Sequence, residues 1–197
     1  MKRPMTTELI LVRHAPTRND GLLAGRTDVP ADCSDTRSFV DLRAAIGDVD
    51  HRVASPARRC SQTAASLWPD LPVPAIDARL WEQDFGDWEG LAHSALPDLG
   101  PLPPAELAAH RPPNGESFGD LCARVHPVLE ALAARGGRIA VIAHAGTLRA
   151  ALALALNSTG AALAFQLAPL SLTHMTAIGG SAWSIGGVNW TPRGVRQ

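Results

Sequence analysis

Two apolar runs frame the chain, Leu9-Ile10-Leu11-Val12 toward one end and Ile139-Ala140-Val141-Ile142-Ala143 toward the other. Neither alternates with polar residues, which is the pattern of a strand buried on both faces of a sheet. Each run is cut off by a histidine, His14 (after Arg13) and His144, and each histidine is followed by alanine. Between them the period becomes helical. Phe118, Leu121, Cys122, Val125, Leu129 and Leu132 recur every three or four residues and predict an amphipathic helix ending near Gly136-Gly137. Ser117 and Asp120 offer a capping box at its start. A second helix is predicted from Ser55 as cap and Pro56 at the first helical position to about Trp68, with Cys60, Ala64 and Leu67 on its buried stripe. A third, Leu148 to Leu156, follows His144 after Gly146-Thr147, with Asn157 and Gly160 as stop signals. Ser171 to Ile178 and Ala182 to Val188 read as two late strands joined by Gly179-Gly180, and the tail Thr191 to Gln197 is expected to fray.

Strands alternating with helices predict an α/β fold, a three-layer sandwich with a mostly parallel central sheet and helices on both faces. No shift of composition marks a boundary, so residues 1–197 read as a single domain. Its irregular part is a helical and proline-rich excursion at about 91–116, where Pro97 to Pro113 holds six prolines around the helical patch Ala105 to Ala109.

Composition narrows the function classes. With 46% apolar and 19% charged residues the chain is globular. A formal net charge of -1 gives no bulk attraction for nucleic acid or an anionic membrane, so an anion site has to be local. No aromatic-basic stripe suggests single-stranded nucleic acid, and the apolar stretches are interrupted before they reach membrane-spanning length. Cys33, Cys60 and Cys122 fit no metal or redox spacing, and their odd number suits a reducing compartment. The run Leu9 to Val12 is too short for the core of a signal peptide, so a cytoplasmic protein is expected. Neither histidine has a third ligand at metal spacing, and Cys60 falls on a buried stripe. No metal and no cofactor are therefore expected.

In an open α/β sheet, ligands sit beyond the carboxyl ends of the strands, where His14, Arg13 and His144 fall. Arginine suits planar, bidentate recognition of phosphate. Arg58 and Arg59 occupy the first turn of a predicted helix, where a cation opposes the helix dipole unless an anion is bound. Adjacent helical residues point about 100° apart, so one of the two is expected to serve a site and the other to face solvent. Leu80 to Gly90 carries four acids, Glu82, Asp84, Asp87 and Glu89, among Trp81, Phe85 and Trp88. A carboxyl against aromatic surface can have its pKa raised, as a general acid requires. The three aromatics also have the spacing of one packed helical face. Spacing does not choose among the acids. A nucleophilic histidine, guanidinium clamps, a second histidine and a carboxyl together suit phosphoryl transfer through a covalent histidine intermediate.

LVRHAPT, SPARRCSQTA, LWEQDFGDWEG and VIAHAGTLRA, in this order from Leu11 to Ala151, resemble the histidine phosphatase superfamily, the phosphoglycerate mutase-like enzymes. The resemblance implies a metal-independent, acid-type phosphatase acting on a small-molecule phosphomonoester. It implies that His14 is the phosphorylated nucleophile, that Arg13, Arg59, His144 and Thr17 hold the phosphoryl group, and that Glu82 is the general acid. His144 thus counts among both the catalytic and the phosphate-binding candidates. Asn19, Arg26, Arg58 and Trp81 are candidates for the substrate side. The family's glycine after each histidine is alanine here, Ala15 and Ala145, which requires an ordinary backbone conformation at both. Pro16 replaces the family's acid, its asparagine has moved to Asn19 or become Asp20, and Ala31 to Val40 lacks the usual helix opening. Overall length, FGDWEG and the stretch Pro112 to Ser117 resemble the α-ribazole phosphatase branch of the cobalamin pathway, implying α-ribazole 5'-phosphate as substrate. The alternatives are mutase-like phosphoryl transfer, a broad-specificity small-molecule phosphatase, and a non-catalytic phosphate-binding protein. Oligomeric state stays open, a homodimer included.

Overall fold

The computed structural model describes residues 6–179 and 182–192. In chain order its elements are β1 (Thr6–Arg13), α1 (Thr36–Ile46), β2 (His51–Ala54), α2 (Arg58–Leu67), β3 (Ala75–Ile76), α3 (Pro104–Ala109), α4 (Phe118–Ala133), β4 (Gly137–Ala143), α5 (Ala145–Leu156), α6 (Thr159–Ala162), β5 (Leu172–Ile178) and β6 (Ala182–Trp190). They build one sheet in the order β3-β2-β4-β1-β5-β6. β1, β4, β2 and β3 are parallel, and β5 and β6 add antiparallel at one edge. The fold is the expected mostly parallel sheet flanked by helices.

Both apolar runs lie in the two central strands, and alternate residues of each go to opposite faces. Leu9, Leu11, Ile139 and Val141 meet Leu121, Val125 and Leu129 of α4 and Leu148 and Leu152 of α5. Ile10, Val12, Ala140 and Ile142 meet Phe39 and Leu42 of α1 and Cys60, Ala64 and Leu67 of α2. The six residues of the predicted α4 stripe are all buried. Its capping box is complete: the Ser117 hydroxyl accepts from the Asp120 N–H at 3.1 Å, and Asp120 accepts from the Ser117 N–H at 2.8 Å. α5 starts at Ala145, three residues before the predicted Leu148, and closes on Asn157 in the left-handed region at φ 50°. α3 forms inside the proline-rich excursion. The antiparallel β5–β6 pair is as expected, while Gly180 of its connection and residues 193–197 of the predicted frayed tail lie outside the described residues. Among the described residues no helix is long and apolar enough to cross a membrane.

Two expectations are corrected. α2 begins at Arg58 with Ala57 as its unassisted N-cap, not at Pro56 with Ser55 as cap. Ser55 is fully buried at the end of β2, where its hydroxyl meets the His144 ring instead. The stretch carrying Trp81, Phe85 and Trp88 is not a helix but two 3-10 turns, Ala78–Leu80 and Gly86–Trp88, joined by irregular chain. Gly86 at φ 52° breaks the helical path, and a Cβ there would stand 2.1 Å from the Pro113 carbonyl oxygen. The aromatics therefore face different neighbours. Trp88 stacks on His110 at 5.4 Å, and Trp81 on His144.

The capping box makes a direct stability prediction. Ser117→Ala leaves the Asp120 N–H of the first turn without its side-chain acceptor and should lower unfolding free energy by about 1 kcal/mol. Urea unfolding should show a lower midpoint at unchanged slope. An unchanged midpoint would mean that the box contributes nothing.

Candidate active site

Parallel pairing brings the two histidines together. β1 and β4 run in register to Arg13 opposite Ala143, and the His14 N–H continues the ladder to the Ala143 carbonyl at 2.9 Å. The next residue of each strand is the histidine. Their ring centroids lie 5.2 Å apart at 67°, edge to face, and both rings are buried. Ala15 and Ala145 keep negative φ, since neither is among the residues in the left-handed region. The backbone after each histidine is ordinary, as alanine demands.

Hydrogen bonds decide which nitrogen of each ring is free. His14 Nδ1 lies 2.7 Å from the Ala15 carbonyl oxygen, which can only accept, so Nδ1 carries the proton and Nε2 the lone pair. His144 Nδ1 accepts from Arg59 Nε–H at 3.2 Å, which leaves the proton on Nε2 to donate to the Ser55 hydroxyl at 2.8 Å. Both nitrogens of His144 are thus already bonded. A direct bond from His144 to a phosphoryl oxygen would have to replace one of these contacts.

The cations crowd around neutral rings. Burial, then Arg13 and Arg59, pushes the His14 pKa down to about 3. Burial, then His14 and Arg59, holds His144 well below its ordinary range. A neutral imidazole is what a nucleophile needs. Arg59 is buried and spends three of its five N–H groups on the protein: Nε on His144, Nη1 on the Thr27 carbonyl at 3.0 Å and Nη2 on the Gly25 carbonyl at 2.6 Å. Arg13 bonds the Leu167 carbonyl through Nη1, and its buried Nε has no hydrogen-bond partner among the described residues. Arg149 was not foreseen in the sequence. It lies on α5 and donates to the Phe165 carbonyl at 3.0 Å, close enough to Arg13 to depress its pKa after the larger effects of burial and Glu82.

The structure separates the four acids that spacing could not. Glu82 accepts from the Gly146 N–H of α5, at 3.1 and 3.3 Å to its two oxygens, and so stands two residues beyond His144. Glu89 instead binds the loop 25–27 through the N–H groups of Arg26 and Thr27, both at 2.7 Å. Asp84 caps the turn at Gly86, and Asp87 bonds Asn114. Only Glu82 among them reaches a strand end that carries a histidine. Gly146 is required for this approach, because a Cβ there would sit 2.2 Å from Glu82 Oε1.

The remaining sequence candidates divide. Trp81 stacks parallel to His144 at 6.2 Å, with the Arg59 guanidinium 5.8 Å over its own ring. The Thr17 hydroxyl donates to Asn19 at 2.7 Å, and Asn19 donates to the Leu22 carbonyl, so this pair is spent on its own loop. Arg26 and Arg58 are exposed; Arg58 joins the site only through its backbone N–H to Asp28. Cys60 is buried as expected, yet its sulfur lies 3.6 Å from His144 Nε2, and burial pushes its thiol pKa far up. Among the described residues no three His, Cys, Asp or Glu gather as metal ligands. Sequence reasoning missed Thr63, whose hydroxyl accepts the Ala15 N–H at 2.9 Å and donates to the Arg59 carbonyl at 2.7 Å. Its place one turn after Arg59 was the available signal.

Residues 9–191 match the family model described as histidine phosphatase superfamily, branch 1. The chain belongs to that superfamily. A glucosyl-3-phosphoglycerate phosphatase of Mycobacterium tuberculosis is 31% identical over 153 residues, which cover 71% of this chain and 61% of the relative. The match thus spans about three fifths of that relative's length. A solved mycobacterial glucosyl-3-phosphoglycerate phosphatase, complexed with VO3, is 26% identical with a TM-score of 0.81, over 93% of this chain and 99% of the other. A putative α-ribazole-5'-P phosphatase of Escherichia coli has a TM-score of 0.80 at 23% identity, over 96% and 99%, a likeness of fold.

The depressed His14 pKa carries a sign. With an ordinary value of 6.5 in the unfolded chain and about 3 in the folded one, the unfolded state binds more protons between these limits. Stability is therefore full above the unfolded value and lost as pH falls toward the folded one. Acidification from about pH 7 to about pH 5 should cost about 2 kcal/mol through His14 alone. Denaturant unfolding at both pH values should show it, and His14→Asn should reduce the difference by about that amount, leaving the part that the likewise depressed His144 contributes. Equal acid sensitivity in the variant would show that His14 is not held neutral.

Proposed function

We propose that the protein hydrolyses small-molecule phosphomonoesters through a phosphohistidine at His14. The observation that carries this reading is the tautomer of His14: with Nδ1–H tied to the Ala15 carbonyl, the lone pair is on Nε2 of a buried ring between guanidinium groups. In the first step Nε2 attacks phosphorus and the bond from phosphorus to the ester oxygen breaks. The electron pair leaves on that oxygen, which takes a proton from the Glu82 carboxyl. Arg13 and Arg59 absorb charge on the equatorial oxygens. In the second step water attacks phosphorus, the P–N bond breaks with its pair returning to Nε2, and Glu82 takes a proton from the water. No metal enters either step.

Both named relatives, one for a phosphorylated sugar acid and one for a phosphorylated nucleoside-like compound, are phosphatases by name. The preference for α-ribazole 5'-phosphate rests on overall length, on FGDWEG, on the 112–117 stretch and on the short middle excursion. What supports a broader reading is that the relative at 31% identity acts, by name, on glucosyl-3-phosphoglycerate. We therefore assign the chain to small phosphomonoesters of mixed structure rather than to α-ribazole 5'-phosphate.

Assay in the presence of EDTA, on a panel that includes α-ribazole 5'-phosphate, glucosyl-3-phosphoglycerate and simple alkyl phosphates, tests this. Phosphate should be released from more than one member, and acid quench during turnover should trap an acid-labile, base-stable label on His14 that His14→Ala abolishes. Dependence on added magnesium or zinc, or label on serine, would overturn the mechanism. Turnover confined to α-ribazole 5'-phosphate would overturn the broad assignment.

A further inference from the structure

The acid sits on irregular chain, which raises the question of what holds it. The 3-10 turn Ala78–Leu80 satisfies the Ala78 carbonyl, but those from Arg79 to Glu82 have no helix or strand ladder to satisfy them, and each needs a partner. Arg124, on α4, supplies three. Its Nη1 donates to the Arg79 carbonyl at 2.7 Å and to the Trp81 carbonyl at 2.8 Å, and its Nη2 donates to the Glu82 carbonyl at 2.7 Å. The fourth, that of Leu80, accepts from the Thr147 hydroxyl at 3.2 Å. The remaining donors of Arg124 go to the Glu116 carboxylate: Nε at 3.1 and 3.2 Å to its two oxygens, and the second N–H of Nη2. All five N–H groups of the guanidinium are engaged.

The pair is well enclosed, with side chains 18% and 14% exposed, so loss of either partner leaves a poorly solvated charge. Glu116 also stitches the far side of the acid. It accepts the Asp84 N–H at 3.0 Å on its carboxylate and the Gln83 side-chain amide at 2.9 Å on its carbonyl. Its own N–H closes on the Asp84 carbonyl at 2.8 Å. The residues gripped in this way are the indole that stacks on His144 and the acid that follows it. Arg124 makes no hydrogen bond to His14, His144, Arg13 or Arg59 among the described residues; apart from its charge, which is the smallest of the influences that lower the His144 pKa, its link to the site passes through segment 79–84.

We propose that Arg124, braced by Glu116, is a positioning residue that sets where the Glu82 carboxyl stands relative to the leaving oxygen. The inference rests on the phosphatase reading above. A planar fork with five donors is what three carbonyls and a carboxylate require. Lysine, with three donors on one nitrogen, cannot span them. The consequence is selective. A misplaced acid slows departure of a poor leaving group, which needs a proton, and spares a good one, which does not. General loosening of the fold would slow both alike.

Rapid-quench measurement of phosphohistidine formation, with an alkyl phosphate and with p-nitrophenyl phosphate, separates these outcomes. Arg124→Lys should slow phosphorylation by the alkyl substrate by about tenfold or more while p-nitrophenyl phosphate reacts at close to the wild-type rate. Glu116→Gln should show the same contrast in weaker form, and Glu82→Gln the same contrast in stronger form. Arg124→Ala should regain part of the alkyl rate with added guanidinium. Equal slowing of both substrates by folded Arg124→Lys and Glu116→Gln would make the pair merely structural and overturn the inference. A Glu82→Gln variant without the contrast would overturn the acid assignment and the inference with it. Failure of the phosphatase reading would look different: the wild-type protein would form no phosphohistidine from either substrate.

Discussion

Parallel pairing between β1 and β4 is the constraint from which the site follows. Their register ends with Arg13 opposite Ala143, so the first residue past each strand emerges at the same height on the same edge. Two residues 130 apart in number become a pair of rings in edge-to-face contact, with no loop needed to bring them together. The pairing is secured by apolar residues on both faces of both strands. Burial at these strand ends, which stabilises the fold, is also what strips the histidines of their charge.

That burial makes the site electrostatically one-sided. Arg13, Arg59 and Arg149 gather where two histidines are already neutral, and Glu82 is the carboxylate drawn toward them. One carboxylate offsets only part of the charge of three guanidinium groups in a poorly solvated cleft. A dianionic phosphoryl group would supply it. Arg59 is held in place by carbonyls of the loop 25–27, and the same loop is tied down by Glu89. Two of the four acids in the aromatic-rich stretch thus border the site from opposite sides, Glu82 against the Gly146 N–H and Glu89 behind the loop that holds Arg59.

The parts of this arrangement legible in the sequence were those set locally. An unbroken apolar run followed by histidine is visible in a handful of residues, as are the α4 stripe and its capping box. What was not legible depended on distant partners. Ser55 before Pro56 has the form of a helix cap, yet its hydroxyl, which accepts from the Ala57 N–H at 3.3 Å, is also recruited by His144, 89 residues away. Glu82 is chosen over its neighbours by Gly146, 64 residues away. Trp81, Phe85 and Trp88 have helical spacing, but Gly86 at positive φ sends the chain elsewhere. β2 carries only two buried residues, Val53 and Ala54, too few to make a pattern, and α1 has no run of apolar positions to announce it. Motif resemblance pointed across these gaps to Glu82 and Arg59, and also to Thr17, whose hydroxyl donates to Asn19.

The central claim is that His14 waits as a neutral imidazole with its lone pair on Nε2. Nitrogen-15 NMR of the histidine side chains reads both properties in one titration. The account predicts that His14 keeps the Nδ1–H tautomer and shows no protonation from neutral pH down to about pH 5, well below the ordinary histidine range. Protonation of His14 near pH 6.5, or a proton resident on Nε2 in the neutral form, would contradict it.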